Sequence, residues 1–95
     1  MSKQADSSLF LLGTSHQVAN LNERESIALP NNSIDSFYEG LENLPGLEEC
    51  LVLNTCNRTE IYGSAGPSFQ FQSLLKYFSI FRELDPNFLA KKTYQ

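Results

Sequence analysis

Cys56 stands in the run Asn54-Thr55-Cys56-Asn57-Arg58-Thr59-Glu60-Ile61-Tyr62, directly after the apolar stretch Leu51-Val52-Leu53. A strand through the apolar residues delivers the thiol to its carboxyl end, where open sheets usually keep their sites. Arg58, two positions on, carries a guanidinium that can stabilise a thiolate or hold a substrate carboxylate. The arrangement suits a cysteine nucleophile. The competing reading is a small buried cysteine beside a surface Arg58–Glu60 ion pair, because burial is the usual fate of a free cysteine.

Other thiol chemistry fits poorly. With a strand over Cys50 to Asn54, Cys50 and Cys56 lie roughly 20 Å apart at about 3.3 Å per residue, beyond the ~7 Å Cα limit for a disulfide. Both are expected as free thiols. One histidine and two cysteines at this spacing do not make the usual tetrahedral metal set. A Cys-x5-Arg phosphatase loop is also absent, since Tyr62 stands six after Cys56 and Cys56 six after Cys50.

The elements that must position the thiol follow from periodicity. Leu9-Phe10-Leu11-Leu12 before Gly13 predicts a buried first strand ending near Ser15 or His16. Asn20 or Asn22 can cap a short helix over about Glu23 to Leu29, which Pro30-Asn31-Asn32 ends. Ser33 reads as the cap of a second helix with Ile34, Phe37, Tyr38, Leu41 and Leu44 on one apolar face, stopped by Pro45-Gly46. Strands over Glu49–Leu53 and Glu60–Gly63 flank the Asn54–Arg58 turn, an antiparallel hairpin whose tip carries the cysteine. After the loop Gly63-Ser64-Ala65-Gly66-Pro67, Ser68 can cap a third helix running to about Leu84, broken by Asp85-Pro86-Asn87. The tail from Lys91 to Gln95 is read as a final edge strand or as disordered. Residues 1–8 are polar and expected to be disordered, leaving one domain over 9–95. The order predicts an α+β sandwich, ferredoxin-like, with a mostly antiparallel sheet and helices packed on one face.

Composition bounds the class. Ninety-five residues at 41% apolar content bury one core. No apolar stretch approaches the roughly 18–20 residues of a membrane span, and Met1 to Ser8 resembles no signal peptide, so no membrane association and a cytoplasmic location are expected. That expectation leaves the two Asn-x-Ser/Thr matches, at Asn31 and Asn57, without meaning as glycosylation sites. A net charge of −4 with seven scattered basic residues argues against a grip on nucleic-acid phosphates.

Two blocks of sequence carry a family resemblance. The run around Cys56 resembles the Ser-Thr-Cys-Asn-Arg-Thr-Glu-Ile-Tyr signature of glutamyl-tRNA reductase. Leu12-Gly13-Thr14-Ser15-His16-Gln17-Val18-Ala19, followed by Glu23-Arg24-Glu25, resembles the family's amino-terminal Gly-x-Asn-His-x-x-Ala-Pro-x-x-x-Arg-Glu pattern. The departures are Ser15 for the usual Asn, Gln17 for a common Lys, Asn20 for Pro and Asn54 for Ser. The likeness runs from about Leu9 onward and implies a fragment, the N-terminal catalytic domain of a protein roughly four times longer.

The resemblance implies an oxidoreductase that starts tetrapyrrole synthesis by reducing glutamyl-tRNA to glutamate-1-semialdehyde. Cys56 matches the family's nucleophile, which attacks the aminoacyl ester and forms a glutamyl thioester that NADPH then reduces. Thr55 and Arg58 match residues lining the glutamate pocket. His16 matches the histidine of the first block and is a substrate-binding candidate, though a histidine at a strand end is as often structural. Arg24 and Glu25 match the family's Arg-Glu pair and are read as a packing and capping device. No Gly-x-Gly-x-x-Gly fingerprint occurs, so NADPH is expected on a domain absent from this chain, as is a further histidine that the family uses. The tRNA body is likewise expected on other parts of a parent that is homodimeric through its missing C-terminal region, with glutamate-1-semialdehyde aminomutase as a further partner. Two alternatives stay open: a non-catalytic binding or regulatory module of the same fold, and a thiol acyl-transfer or hydrolase domain. The latter needs a paired base, for which His16 is the only histidine.

Overall fold

The computed structural model describes residues 7–55 and 57–95; Cys56, the expected nucleophile, and residues 1–6 lie outside the described residues. The elements are β1 (Ser8–Ser15), α1 (Leu21–Ile27), a 3-10 turn (Asn31–Ser33), α2 (Ile34–Leu41), β2 (Leu47–Asn54), β3 (Arg58–Ala65), α3 (Phe71–Phe81) and α4 (Pro86–Lys91). β3 is central and pairs antiparallel with both neighbours in the order β1-β3-β2. β1 and β2 therefore run parallel with β3 inserted between them, the split β-α-β connection of an α+β sandwich.

Strand alternation sorts the sheet into two faces. Leu12 and Val52 both lie opposite Ile61, and with Phe10 they face the helices. Leu12 and Ile61 are fully buried there with Phe37, Leu41, Leu74, Phe78 and Leu89. The Phe37 ring lies 5.0 to 5.4 Å from those of Tyr77, Phe78 and Phe81, which locks α2 to α3 through edge and tilted aromatic contacts. The other face carries no helix, and Leu9 and Leu51 stand 88% and 62% exposed on it. At the β2 edge, the Val52 N–H donates to the Tyr38 hydroxyl at 2.7 Å, so one otherwise unpaired backbone donor is satisfied.

Several local expectations are corrected. Ser33 holds the N-cap position of α2, as expected, but its side chain makes no capping bond; its hydroxyl donates to the Pro30 carbonyl, closing the 3-10 turn that feeds the helix. α2 ends at Leu41, and Gly46 then turns the chain at φ 82°, where a Cβ would stand 2.4 Å from the Phe69 nitrogen. Ser68 does not cap α3, whose N-cap position is Gln70. The helix stops at Phe81 rather than Leu84 because Glu83 adopts φ 56°. Glu83 N–H then bonds the Ile80 carbonyl and Leu84 N–H the Ser79 carbonyl, the paired bonds of a Schellman motif closed without glycine.

Asp85-Pro86, expected to break α3, instead starts α4, because the chain has already left α3 at Glu83. The Asp85 carboxylate accepts from Asn87 N–H at 2.9 Å and Pro86 occupies the first helical turn, where its missing N–H costs nothing. The expected final strand reduces to one antiparallel bridge, Gly13 to Tyr94, with backbone bonds of 3.0 and 2.7 Å. It sits on the β1 edge away from β3.

Candidate functional site

The β2–β3 tip is built by Thr55. Its N–H donates to the Arg58 carbonyl at 2.8 Å, and its hydroxyl oxygen accepts from the N–H groups of Asn57 and Arg58 at 3.3 and 3.2 Å. The residue thus ties β2 to the start of β3, a use of threonine that its side-chain oxygen favours in turns. Immediately below, Asn54 ties the hairpin to the chain after α1. Its amide donates to the Leu29 carbonyl at 2.6 Å and its oxygen accepts from Leu29 N–H at 3.3 Å and from the Thr59 hydroxyl at 3.0 Å. This residue departs from the family's serine in sequence, and its amide pairs with the Leu29 backbone to fix where α1 sits relative to the tip.

Helix α1 is held equally firmly. Asn20 accepts from Glu23 N–H and Glu23 accepts from Asn20 N–H, a reciprocal capping box. Glu23 also pairs with Lys92 at 3.1 Å. Capping therefore falls to Asn20 and Glu23, not to the Arg24–Glu25 pair.

Between α1 and the tip lies a cleft of about 140 Å³. Arg24, Glu25 and Ala28 line it from the helix; Thr55, Arg58 and Thr59 line it from the hairpin. Two of the three arginines in the chain thus meet one carboxylate in a single small space. The Arg24 Nη1 donates to the Ala19 carbonyl at 2.9 Å, which fits the packing role read for it. Its Nε, however, is buried without a hydrogen-bond partner among the described residues. A buried donor left unsatisfied costs about 1–3 kcal/mol, so the arrangement is tolerable if a ligand acceptor meets it. The signal available in sequence was the adjacency of an Arg and a Glu in a short polar helix; only the fold sets them opposite Arg58.

Arg58 is half exposed and lies 3.7 Å from Glu60 through Nη1. Glu60 is only 3% exposed, and it accepts hydrogen bonds from Tyr62 at 2.6 Å and from Tyr94. Burial pushes the Glu60 carboxyl up, but the two tyrosine hydroxyls and the Arg58 charge outweigh it and hold the group below its ordinary value. Tyr94 in turn is pushed up to about 12 by burial and by the Glu60 carboxylate. Gly13 permits this packing, since a Cβ there would stand 2.6 Å from Glu60 Cγ and 3.0 Å from the Tyr94 ring. Arg58 thus projects from a carboxylate anchor fixed by two phenols.

His16 is exposed in the turn after β1, where Val18 and Ala19 N–H groups bond back to the Ser15 carbonyl. It lines neither the tip cleft nor the broad trough elsewhere on the sheet. Thr55 and Arg58 line the cleft together, and His16, which follows the Ser15 that pairs with Arg58 between β1 and β3, does not line it. Cys50 lies within β2 as expected and is a free thiol. Burial, and then the Glu42 charge, push its pKa up, which keeps it protonated and unreactive. No cluster of metal-ligating side chains occurs among the described residues, and none of their helices is long and apolar enough to cross a membrane.

Comparison with known proteins bears on the same segments. A family model described as "Glutamyl-tRNAGlu reductase, N-terminal domain" matches residues 12–95, which include the end of β1, the α1 helix and the whole hairpin. Curated relatives named glutamyl-tRNA reductase include one from Idiomarina loihiensis, 35% identical over 83 residues that cover 87% of this chain and 19% of the relative. One from Heliobacterium mobile is 30% identical over 87 residues, covering 90% of this chain and 20% of the relative. One from Akkermansia muciniphila is 37% identical over 68 residues, covering 70% and 20%. The chain spans about a fifth of the length of these relatives. Because that match spans Leu12 in β1 through the cleft to the Tyr94 bridge, the chain belongs to the glutamyl-tRNA reductase N-terminal domain family.

Proposed function

We propose that this domain accepts the glutamyl group of glutamyl-tRNA on Cys56, within a parent protein that reduces it to glutamate-1-semialdehyde at the start of tetrapyrrole synthesis. The observation that carries the reading is the cleft itself, with Thr55 and Arg58 flanking the cysteine in sequence and lining one small space with Arg24 and Glu25. In the step assigned to this domain, the Cys56 thiolate attacks the ester carbonyl and a carbon–sulfur bond forms. The ester carbon–oxygen bond breaks, and the 3′-terminal ribose hydroxyl of the tRNA leaves after taking up a proton. A thiolate is required because the thiol is the weaker nucleophile. Arg58 offers a planar fork of donors to the free carboxylate of the glutamyl side chain. Thr55 contributes by shaping the turn, and its hydroxyl is already committed to backbone partners.

The nicotinamide cofactor does not fit the tip cleft. A cleft of about 140 Å³ falls below the ~300–1,000 Å³ typical of pockets for drug-sized ligands. The loop from Ser15 into α1 also contains no glycine to let a backbone approach a pyrophosphate. This domain's part ends at the acylated thiol, and NADPH belongs to the remainder of the parent. The same reading puts the parent in the cytoplasm, where thiols stay reduced. It also implies a homodimer formed outside this chain and an aminomutase that takes up the aldehyde.

Turnover of glutamyl-tRNA by the full-length parent separates this from the hydrolase reading. Cys56→Ala removes turnover, while His16→Ala stays within about threefold of wild type, because no general base is drawn from it. A loss with His16→Ala as deep as with Cys56→Ala contradicts the assignment.

A further inference from the structure

We propose that Arg24 and Glu25 are substrate-binding residues that make the cleft specific for an acidic α-amino acid ester. The inference deepens the function proposed above and rests on it. Three observations converge on the α1 wall. Arg24 and Arg58 line the same cleft from opposite sides. The Arg24 Nε–H is buried and has no acceptor among the described residues. Glu25, its neighbour on the same wall, is exposed and makes no side-chain hydrogen bond or ion pair among the described residues.

A glutamyl ester presents two charges besides its reacting carbonyl: a side-chain carboxylate and an α-ammonium. The cleft presents the complement, two guanidiniums and one carboxylate, in a chain whose net charge is −4. The free carboxylate takes donors from Arg58 and from the orphaned Arg24 Nε–H. The α-ammonium lies against the Glu25 carboxylate. This division rejects esters that lack either charge, since a site built for a charged group leaves its own polar atoms unpaired when the wrong substrate enters. The cleft's size, about 140 Å³, suits one aminoacyl group and excludes the nucleotide that carries it.

The experiment uses the full-length parent and three substrates: glutamyl-tRNA, N-acetylglutamyl-tRNA, which has no ammonium, and tRNA misacylated with glutamine, which has no side-chain carboxylate. Glu25→Gln is expected to lower kcat/KM for glutamyl-tRNA about 10- to 100-fold and to erase the wild-type preference over N-acetylglutamyl-tRNA, leaving turnover of the latter unchanged. Arg24→Lys is expected to shrink the preference over glutaminyl-tRNA, with the N-acetyl preference intact. Arg24 also holds the Ala19 carbonyl, so its variant is read beside a melting curve; Glu25 has no such structural tie, and its result stands alone. Equal losses on all three substrates, with both preferences preserved, overturn the proposal and assign the pair to packing. Full turnover by Cys56→Ala, or none by wild type, overturns the reductase reading itself, and the proposal with it.

Discussion

Two concavities among the described residues contrast, and the larger is the less interesting chemically. A trough of about 670 Å³ runs by Leu9, Leu51, Tyr62 and Cys50, while the tip cleft holds about 140 Å³ between α1 and the hairpin. The trough has volume, apolar walls and a cysteine, yet that thiol is pushed toward its protonated form by burial and by Glu42. The tip has little volume but gathers two arginines, a glutamate and a turn fixed by Thr55. Convergent polar groups on rigid elements, rather than size, distinguish a site for a small charged group.

The largest effect that sharpens this contrast comes from Arg58→Lys in the full-length parent. Keeping the charge while losing the planar fork should lower kcat/KM about 100-fold with an unchanged melting temperature. An exposed ion pair with Glu60 contributes only about 0–1 kcal/mol and accepts lysine, so near-normal turnover reduces Arg58 to that surface role. A smaller effect compares the two thiols directly. Alkylation of the folded chain should modify Cys56 about tenfold faster than Cys50, whose pKa is raised. Equal, slow labelling erases the chemical difference between tip and trough and favours a non-catalytic module.

The smallest effect concerns the anchor beneath Arg58. Glu60 has a folded pKa below its ordinary 4.5, so its contribution to stability is present above that value and is lost as pH falls through the folded pKa. Glu60→Gln should therefore cost about 1–3 kcal/mol at neutral pH, with the gap to wild type closing as the solution is acidified below about pH 4.5. Tyr94 runs the opposite way. Its raised pKa stabilises the fold below the ordinary value of 10.0, and the increment disappears as pH climbs through about 12. A pH-independent difference between Glu60→Gln and wild type argues that the carboxylate is not held ionised by its tyrosines.

The hairpin and β1 were legible in the sequence because apolar runs bounded by polar turns specify strands with little help from the rest of the chain. Their true ends extend beyond the apolar cores, as β3 pairs on both sides and carries its neighbours with it. Helix ends were less legible. Glu83 takes a left-handed conformation that sequence reading reserves for glycine, and Asp85-Pro86, which reads as a stop, starts α4. The site was legible only in part. Thr55 and Arg58 are neighbours along the chain, so one motif reveals both. Arg24 and Glu25 sit some thirty residues earlier and reach the cleft only because Asn54 clamps the Leu29 backbone, a tertiary tie with no periodic signature. His16 shared a motif with them but does not line the cleft, since it stands exposed in the turn after β1.

The central claim is that the tip thiol, not the strand thiol, accepts the glutamyl group. Mass spectrometry of the full-length parent after exposure to glutamyl-tRNA without reductant tests it most directly. A single glutamyl adduct on the peptide carrying Cys56, sensitive to hydroxylamine and absent from Cys56→Ala, is the predicted result. An adduct on Cys50, or no covalent adduct while turnover proceeds, contradicts it.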